Sequence, residues 1–160
     1  MSEAAATLPA TIRPATDADA AAVAAAVEQL LVELGGKRPP RADLEAEVRA
    51  ALTDPGIGAI LVAEAAGEIV GVLSASWQRA IHVPGVYATI QDLWVDEDWR
   101  SRGVGAELVE AIASQARTRG VSRLEVGLPR ETFAAIASTE SFYERNGFEH
   151  LGPRMRRLLA

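Results

Sequence analysis

The sequence of 160 residues contains no cysteine and only two histidines. Without cysteine the chain can form no disulfide, no thiolate metal site and no covalent intermediate on a cysteine nucleophile. Two scattered histidines provide no cluster of ligands, so we predict no metal site. The absence of cysteine also suits a reducing compartment, and we expect a cytoplasmic protein.

Long apolar runs are also absent. A membrane-spanning helix needs about 20 apolar residues, whereas Asp17 and Asp19 interrupt the Ala-rich start of the first predicted helix. Residues 1–10 lack the basic region that begins a signal peptide. We therefore expect residues 1–10 to form a disordered tail and residues 11–160 to form one domain with a sizeable core.

Positive charge is scarce, because 22 acidic residues outnumber 16 basic ones and give a net charge of −6. A binding site for nucleic acid or for an anionic membrane would need a basic surface, so we predict neither partner. A negative charge favours a cationic substrate such as an amine, although many soluble proteins are acidic for solubility alone.

Hydrophobic periodicity alternates between strand-like and helix-like patterns. An early hairpin at Ala66-Gly67 and a later alternation of strands with helices predict a mixed α/β fold. We expect a mostly antiparallel sheet of six to seven strands with about four flanking helices. Thr16 and Asp19 form a capping box before the first helix. The predicted strands are 11–14, 59–65, 68–77, 87–95, 121–127, 148–151 and 154–159, with a loop at 78–85.

A turn rich in arginine and glycine joins the strand that ends at Val95 to the next helix. The turn reads RSRGVG over residues 100–105, and apolar residues then recur at every fourth position, as on one face of a helix. Unpaired N–H groups and partial positive charge converge at a helix N-terminus, and glycine lets the backbone approach an anion closely. Arg100 and Arg102 favour a pyrophosphate ligand. Taken alone, the pattern also fits a plain tight turn that binds nothing.

Three further motifs stand at consistent spacing around this turn. Thr11 begins an opening strand, Leu93 and Val95 form a Leu-x-Val pattern, and the late helix ends in Phe-Tyr-x-x-x-Gly-Phe at 142–148. Together with the Arg-x-x-Gly-x-Gly turn at 100–105, these motifs resemble the GNAT superfamily of acyl-CoA-dependent N-acyltransferases over nearly the whole chain. The resemblance implies that acetyl-CoA is the co-substrate.

The resemblance also implies where acetyl-CoA binds. Its pyrophosphate would lie over the backbone N–H groups of residues 102–106, and its pantetheine arm would pair with the preceding strand as an added strand. Many members carry an asparagine early in the late helix, whereas Ile136 or Ser138 stands there in this chain. The cofactor-binding residues predicted in this way are Leu93, Trp94, Val95, Arg100, Ser101, Arg102, Gly103, Val104, Gly105 and Ala106.

Tyr143, in the Phe-Tyr pair, is the catalytic residue that the resemblance implies, as general acid. When an amine attacks a thioester, the coenzyme A thiolate leaves, and a proton donor near the sulfur helps. A tyrosine with the reference pKa of about 10 is protonated at neutral pH, and a thiolate with a pKa of about 8.5 is a suitable acceptor. Without the other motifs, the same residue would be an amphipathic side chain that seals a helix against the sheet.

The general base is less clearly marked. Family members often carry a glutamate on the strand before the turn, but Thr89 and Gln91 occupy those positions here. Asp92 is the candidate base, although a regular strand would point it away from the face of Gln91 and only a bulge would change that. A chain of water molecules is the alternative. His82, on the predicted loop, and Gln91 are the candidate substrate-binding residues.

These residues predict an enzyme that moves an acetyl group from acetyl-CoA directly to a primary amine of a small molecule or peptide. A non-catalytic acyl-CoA-binding or regulatory module on the same fold is the alternative, favoured by the missing strand glutamate and opposed by Tyr143. A third interpretation is an interaction protein with a fortuitous glycine turn. Because the predicted strand 154–159 lies near a sheet edge, we also expect a homodimer.

Overall fold

A computed structural model describes residues 9–159, so the predicted tail at 1–10 lies outside the described residues apart from its last two positions. The first four strands of its single sheet run antiparallel, and the fifth runs parallel to the fourth, which confirms the mixed α/β fold. In sheet order the strands are β1 (Thr11–Pro14), β2 (Gly58–Ala65), β3 (Glu68–Ala80), β4 (Val83–Val95) and β5 (Leu124–Val126). The described helices are α1 (Ala20–Glu33), α2 (Arg41–Thr53), α3 (Val104–Thr118) and α4 (Ile136–Arg145).

The sheet separates two apolar layers, because successive side chains of a strand point to opposite faces. The layer under α1 and α2 includes the buried side chains of Val23, Val48, Val62, Val72 and Trp94. The layer under α3 includes those of Leu61, Leu73, Ile90, Leu108 and Ile112. Burial of each large aliphatic side chain stabilises the fold by roughly 1.5–3 kcal/mol. The two layers hold β4 firmly between α1 and α3.

The β2–β3 hairpin confirms the predicted turn. Ala66 has a φ of 51° and Gly67 a φ of 80°, which is the left-handed pair that a type I′ turn requires. The capping box is also present: the Asp19 carboxylate accepts the Thr16 backbone N–H at 2.7 Å, before a short 3₁₀ turn at Asp17–Asp19 that leads into α1.

The loop predicted at 78–85 is wrong, because β3 and β4 continue through most of it. Gln78 pairs with Tyr87, and the ladder extends to Ala80 and Val83, so that only two residues form the tip of the hairpin. Polar residues and a Pro-Gly pair gave this segment the composition of a loop. The long pairing with the neighbouring strand overrides that local preference.

The two closing strands predicted at 148–151 and 154–159 are not formed, and the sheet has five strands within the described residues. Gly152 has a φ of 134°, and Pro153 has no N–H to contribute to a ladder. Extended pairing is therefore interrupted between the two predicted strands. The edge strand on which the dimer was predicted is absent from the described structure.

Asp19 links β1 to α1 and provides a stability prediction. Its carboxylate accepts hydrogen bonds from two Arg13 nitrogens, at 2.8 and 3.0 Å, and from Thr16. The bonds from Arg13 lower the pKa of Asp19 to about 2, below the unfolded value of about 3.9. The stabilisation is therefore present above about pH 4 and is lost as the pH falls towards 2. We expect Asp19→Asn to lower the free energy of unfolding at pH 7 by about 2 kcal/mol.

Urea denaturation of both proteins across this pH range measures the effect, and the difference should shrink in acid. Asp17→Asn is the matched control, because the Asp17 side chain is 79% exposed and contacts Arg49 only at 3.4 Å. Such an exposed pair contributes little. An Asp19→Asn protein as stable as the wild type at pH 7 would contradict the prediction.

Candidate active site

β4 and β5 separate beyond Ile90 and leave a gap in the sheet. Their parallel pairing joins Ala88, Thr89 and Ile90 to β5 and ends there. Within the described residues, positions 91–95 therefore have no strand partner on that side. Unpaired N–H and C=O groups along such an edge can accept an extended ligand as an added strand.

A cleft of about 580 Å³ occupies this gap. The end of β4, the turn into α3, the chain after β5 and one side of α4 line it, together with the last turn of α1. Its size falls in the range of about 300–1,000 Å³ that is usual for small-molecule sites. From the predicted set, the cleft brings together Gln91, Leu93, Trp94, Val95, Arg100, Ser101, Gly103, Val104, Gly105, Ala106 and Tyr143.

The turn into α3 has the backbone geometry of an anion site. Ser101 and Gly103 have φ values of 60° and 85°, and Gly103 is the N-cap of α3. The first N–H groups of the helix lack acceptors within the helix, and the positive end of its dipole lies there. A Cβ added at Gly105 would lie 3.2 Å from the Phe142 ring. α4 therefore packs directly on the start of α3, and a side chain at position 105 would require the Phe142 ring to shift by a few tenths of an ångström.

The two arginines of the turn already have partners. Arg100 donates from Nε to the Val95 carbonyl at 3.0 Å and from its guanidinium to Glu33 of α1 at 2.5 Å. Arg102 lies over the Trp99 ring, 5.0 Å from the ring centroid, and is not among the cleft-lining residues. Arg100 thus ties α1 to the end of β4, and Arg102 lies outside the cleft.

Tyr143 lines the cleft from α4 and is only 8% exposed. Its ring meets the rings of Phe142 and Phe148 edge-on, with centroid distances of 5.1 and 5.3 Å. Burial raises the pKa of Tyr143 to about 12, so the phenol keeps its proton at neutral pH. No residue in the range 9–159 forms a hydrogen bond with the hydroxyl, which leaves it free for a ligand.

A β-bulge changes which side chains share a face of β4. The register shifts between Ser74 and Ala75 of β3, and Gln91 is the extra residue on β4. Gln91 donates from Nε2 to Ser76 Oγ at 2.9 Å, and the Ser74 hydroxyl donates to Asp92. Because Ser74 and Ser76 lie two positions apart on one strand, Gln91 and Asp92 lie on the same face of the sheet.

Asp92 is partly exposed as a residue, and it is not among the residues that line the cleft, although its chain neighbours Gln91 and Leu93 are. Burial raises the pKa of Asp92, although the hydrogen bond from Ser74 opposes the shift. In the described part of the chain no basic side chain forms an ion pair with it. A carboxylate with a raised pKa is a better proton acceptor near neutral pH than an ordinary one.

The structure does not bring His82 to the cleft. It lies at the exposed tip of the β3–β4 hairpin, next to Ile81. Gln91 is nine positions further along β4, which corresponds to about 30 Å of extended chain. Of the two candidate substrate-binding residues, only Gln91 lines the cleft.

Sequence patterns missed most of the cleft residues outside the motifs. Only the spacing in α4 could have indicated some of them, because Ser138, Phe142 and Arg145 recur along one stripe of a helix. At the position of the family's asparagine, Ser138 lines the cleft and Ile136 does not. The remaining residues that line the cleft are Leu30, Glu33, Leu34, Ile90, Trp99, Val126, Gly127, Pro129, Phe133, Ala135, Thr139 and Asn146.

Comparison with known proteins identifies the class to which this fold and cleft belong. The family of the acetyltransferase (GNAT) domain matches residues 56–150. The IAA acetyltransferase of Azospirillum brasilense is 30% identical over 134 residues, which cover 82% of this chain and 84% of that protein. The chain therefore belongs to the GNAT acetyltransferase family.

Solved structures show the same fold. A possible acetyltransferase from Clostridium difficile 630 superposes with a TM-score of 0.78 at 21% identity, covering 96% of this chain and 99% of that one. The ribosomal-protein-alanine N-acetyltransferase of Brucella melitensis gives a TM-score of 0.73 at 20% identity, covering 93% and 99%. At these identities the likeness concerns the fold alone.

Two further observations concern the described residues as a whole. Over residues 9–159 no three His, Cys, Asp or Glu side chains are grouped to hold a metal ion. None of the described helices is long and apolar enough to cross a membrane.

Proposed function

We propose that this chain is an acetyl-CoA-dependent N-acetyltransferase that transfers the acetyl group directly to a primary amine of a small molecule or peptide. One observation carries the proposal: a single cleft is lined by the free end of β4, the N-terminus of α3 and Tyr143. Membership of the acetyltransferase family supplies the reaction class. In this proposal residues 11–160 act as one domain in the cytoplasm.

Different parts of the cleft match different parts of acetyl-CoA. The free backbone of residues 91–95 offers N–H and C=O groups to the amides of the pantetheine arm, and Leu93 and Val95 line the same space. The N–H groups at 103–106 would hold the pyrophosphate. A Cβ added at Gly103 would meet no atom within 4 Å, so the space over the turn is open to an anion.

In the transfer step both substrates are bound together, since the chain has no cysteine to carry the acetyl group. The amine nitrogen attacks the thioester carbonyl carbon, the C–S bond breaks, and the sulfur leaves with the electron pair. Tyr143, which its raised pKa keeps protonated, donates its proton to that sulfur, and the acetylated nitrogen returns its second proton through water to the phenolate, which regenerates the acid. The acceptor ammonium loses a proton to a base before the attack.

We propose Asp92 as the final acceptor of that proton, reached through water because the side chain is not part of the lining of the cleft. Its raised pKa suits this role. Gln91 lines the cleft one position away, and its hydrogen bond to Ser76 holds the amide in place. We therefore propose that Gln91 contacts the acceptor and does not take its proton.

Asp92→Asn should lower kcat about tenfold while the affinity for acetyl-CoA stays unchanged, because the amide has nearly the same shape but cannot accept a proton. Ser74→Ala is the companion variant, since it keeps the carboxylate and removes a hydrogen bond that lowers its pKa. The activity of Ser74→Ala should increase with pH as that of the wild type does, but the increase should occur at a higher pH. If Asp92→Asn kept full activity, the proton of the ammonium would be accepted by water and not by Asp92.

The proposed function is tested by the release of free thiol from acetyl-CoA in the presence of polyamines, amino acids, aminoglycosides and peptides. Thiol release that depends on one class of amine supports the enzyme. Gln91 at the position of the family's glutamate favours one other function, a non-catalytic acyl-CoA-binding module. Binding of coenzyme A without turnover for any amine would favour that module, and no binding would reject both.

We also propose a homodimer. β5 is an outer strand of the sheet within the described residues, and exposed edges invite pairing. Several large apolar side chains of the C-terminal segment are exposed, namely Leu151, Met155, Leu158 and Leu159. Light scattering at micromolar concentration should give twice the mass of one chain, and a monomeric mass would refute the proposal.

A further inference from the structure

Arg145 differs from Arg100, the other arginine that lines the cleft, because it has no partner among residues 9–159. Arg100 is bound to Glu33 and to a backbone carbonyl, and Arg102 is stacked on an indole ring. Arg145 lines the cleft from the last turn of α4. Among residues 9–159 it forms neither an ion pair nor a side-chain hydrogen bond, and its neighbour Glu144 lies 3.5 Å from His150 instead.

The packing of α4 places Arg145 beside the start of α3. Phe142 lies directly against Gly105, 3.2 Å from where a Cβ would stand. Arg145 follows Phe142 by three positions and shares its side of the helix, where such neighbours lie about 5–6 Å apart. An arginine side chain can span that distance easily. Its guanidinium is therefore within reach of the N–H groups that begin α3.

We infer that Arg145 is the side-chain cation that binds the phosphate groups of coenzyme A. The inference rests on the proposed function, and it replaces the expectation that Arg100 and Arg102 have this role. Coenzyme A carries a pyrophosphate and a further ribose phosphate, so backbone N–H groups alone leave much of its negative charge without a cation. A guanidinium can meet phosphate oxygens with two parallel hydrogen bonds, which makes arginine well suited to this contact.

The alternative is that Arg145 only complements the negative end of the α4 dipole, as cations in a last helical turn commonly do. Arg117 is the natural reference, because it occupies the last turn of α3, is exposed and does not line the cleft. Arg117→Gln removes the same charge from the last turn of a helix, together with an exposed ion pair to Glu110 that contributes little to stability. A difference in coenzyme A affinity between the two glutamine variants is therefore caused by the position of Arg145 in the cleft and not by the change in net charge.

Calorimetric titration with coenzyme A tests the inference. Arg145→Gln should raise the Kd about tenfold or more, which is the lower end of the effect of losing a hydrogen bond to a charged group. Arg145→Lys should recover only part of the affinity, because lysine keeps the positive charge but cannot form the bidentate hydrogen bonds of a guanidinium. Arg117→Gln should bind as the wild type does, and all variants should unfold at similar temperatures.

Pantetheine, which has no phosphate, separates a phosphate contact from a shift of α4. The thermal stabilisation that it produces at high concentration should be the same in Arg145→Gln and in the wild type. If Arg145→Gln weakened the binding of pantetheine as much as the binding of coenzyme A, the inference would be overturned. Wild-type affinity of Arg145→Gln for coenzyme A would overturn it as well. A wild-type protein that does not bind coenzyme A would reject the proposed function itself.

Discussion

Gly103→Val should abolish the binding of coenzyme A, with a rise in Kd of more than about 100-fold. The N-cap of α3 has a φ of 85°, and a side chain built on it points into open space over the turn. A valine there would occupy the volume that we assign to the pyrophosphate and would screen the N–H groups of the first turn. Several hydrogen bonds to a charged group would be lost together, each contributing about 1.5–3 kcal/mol. Calorimetric titration measures the effect.

The substitution also strains the backbone, because a β-branched residue at positive φ costs about 1–3 kcal/mol. Gly120→Val is a matched control for that strain. Gly120 follows the other end of α3, has a φ of 74° and has an equally open Cβ position. Both variants should be destabilised to a comparable extent in thermal unfolding, and only Gly103→Val should lose its affinity for coenzyme A. Equal affinities in the two variants would exclude the turn as the phosphate site.

Features that depend on neighbouring residues in the chain could be predicted from the sequence. The turn at Ala66-Gly67 needs only two residues that tolerate positive φ, and the capping box needs only Thr16 and Asp19. The glycine turn before α3 is equally local, since Gly103 adopts the left-handed backbone that only glycine adopts freely. For each of these, the physical cause lies within a few positions of the residue that shows it.

Features that depend on distant partners could not be predicted. Arg100 in the glycine turn indicated an anion ligand, but its guanidinium is bound to Glu33, 67 positions away in the chain. The bulge at Gln91 is determined by the pairing of β4 with β3, and the pattern of β4 alone left the face of Asp92 undecided. The same pairing turned the predicted loop at 78–85 into strand. In each case a tertiary contact decided between local structures that the residues themselves allowed.

The acid role of Tyr143 has a clear expectation for pH dependence. Burial raises its pKa to about 12, compared with about 10 for an exposed tyrosine. The acid form is the one that donates, so a rise in pKa keeps the donor competent over a wider range of pH. We therefore expect no loss of activity from ionisation of Tyr143 below about pH 10, and any decline at lower pH belongs to the protonation of the base or of the amine.

Tyr143→Phe should lower kcat by about 100-fold, and by at least about tenfold if water partly replaces the donor. The ring that packs against Phe142 and Phe148 is kept, and only the hydroxyl is removed. Acetyl-CoA affinity should therefore stay close to that of the wild type, and the melting temperature should change little. The rate is measured at saturating concentrations of both substrates, so that weaker binding does not enter the comparison.

Tyr87→Phe is the matched control, because Tyr87 is the other of the two tyrosines in the chain and does not line the cleft. It removes the same hydroxyl at a distance from the chemistry, and it should leave kcat unchanged. If Tyr143 served only to pack α4 against the sheet, both variants would keep full turnover, and the loss of one hydroxyl would cost no more than a modest change in stability. That result would place the acid elsewhere or show that the thiolate leaves without one. A large loss confined to Tyr143→Phe, with acetyl-CoA still bound, assigns the proton donor to this residue.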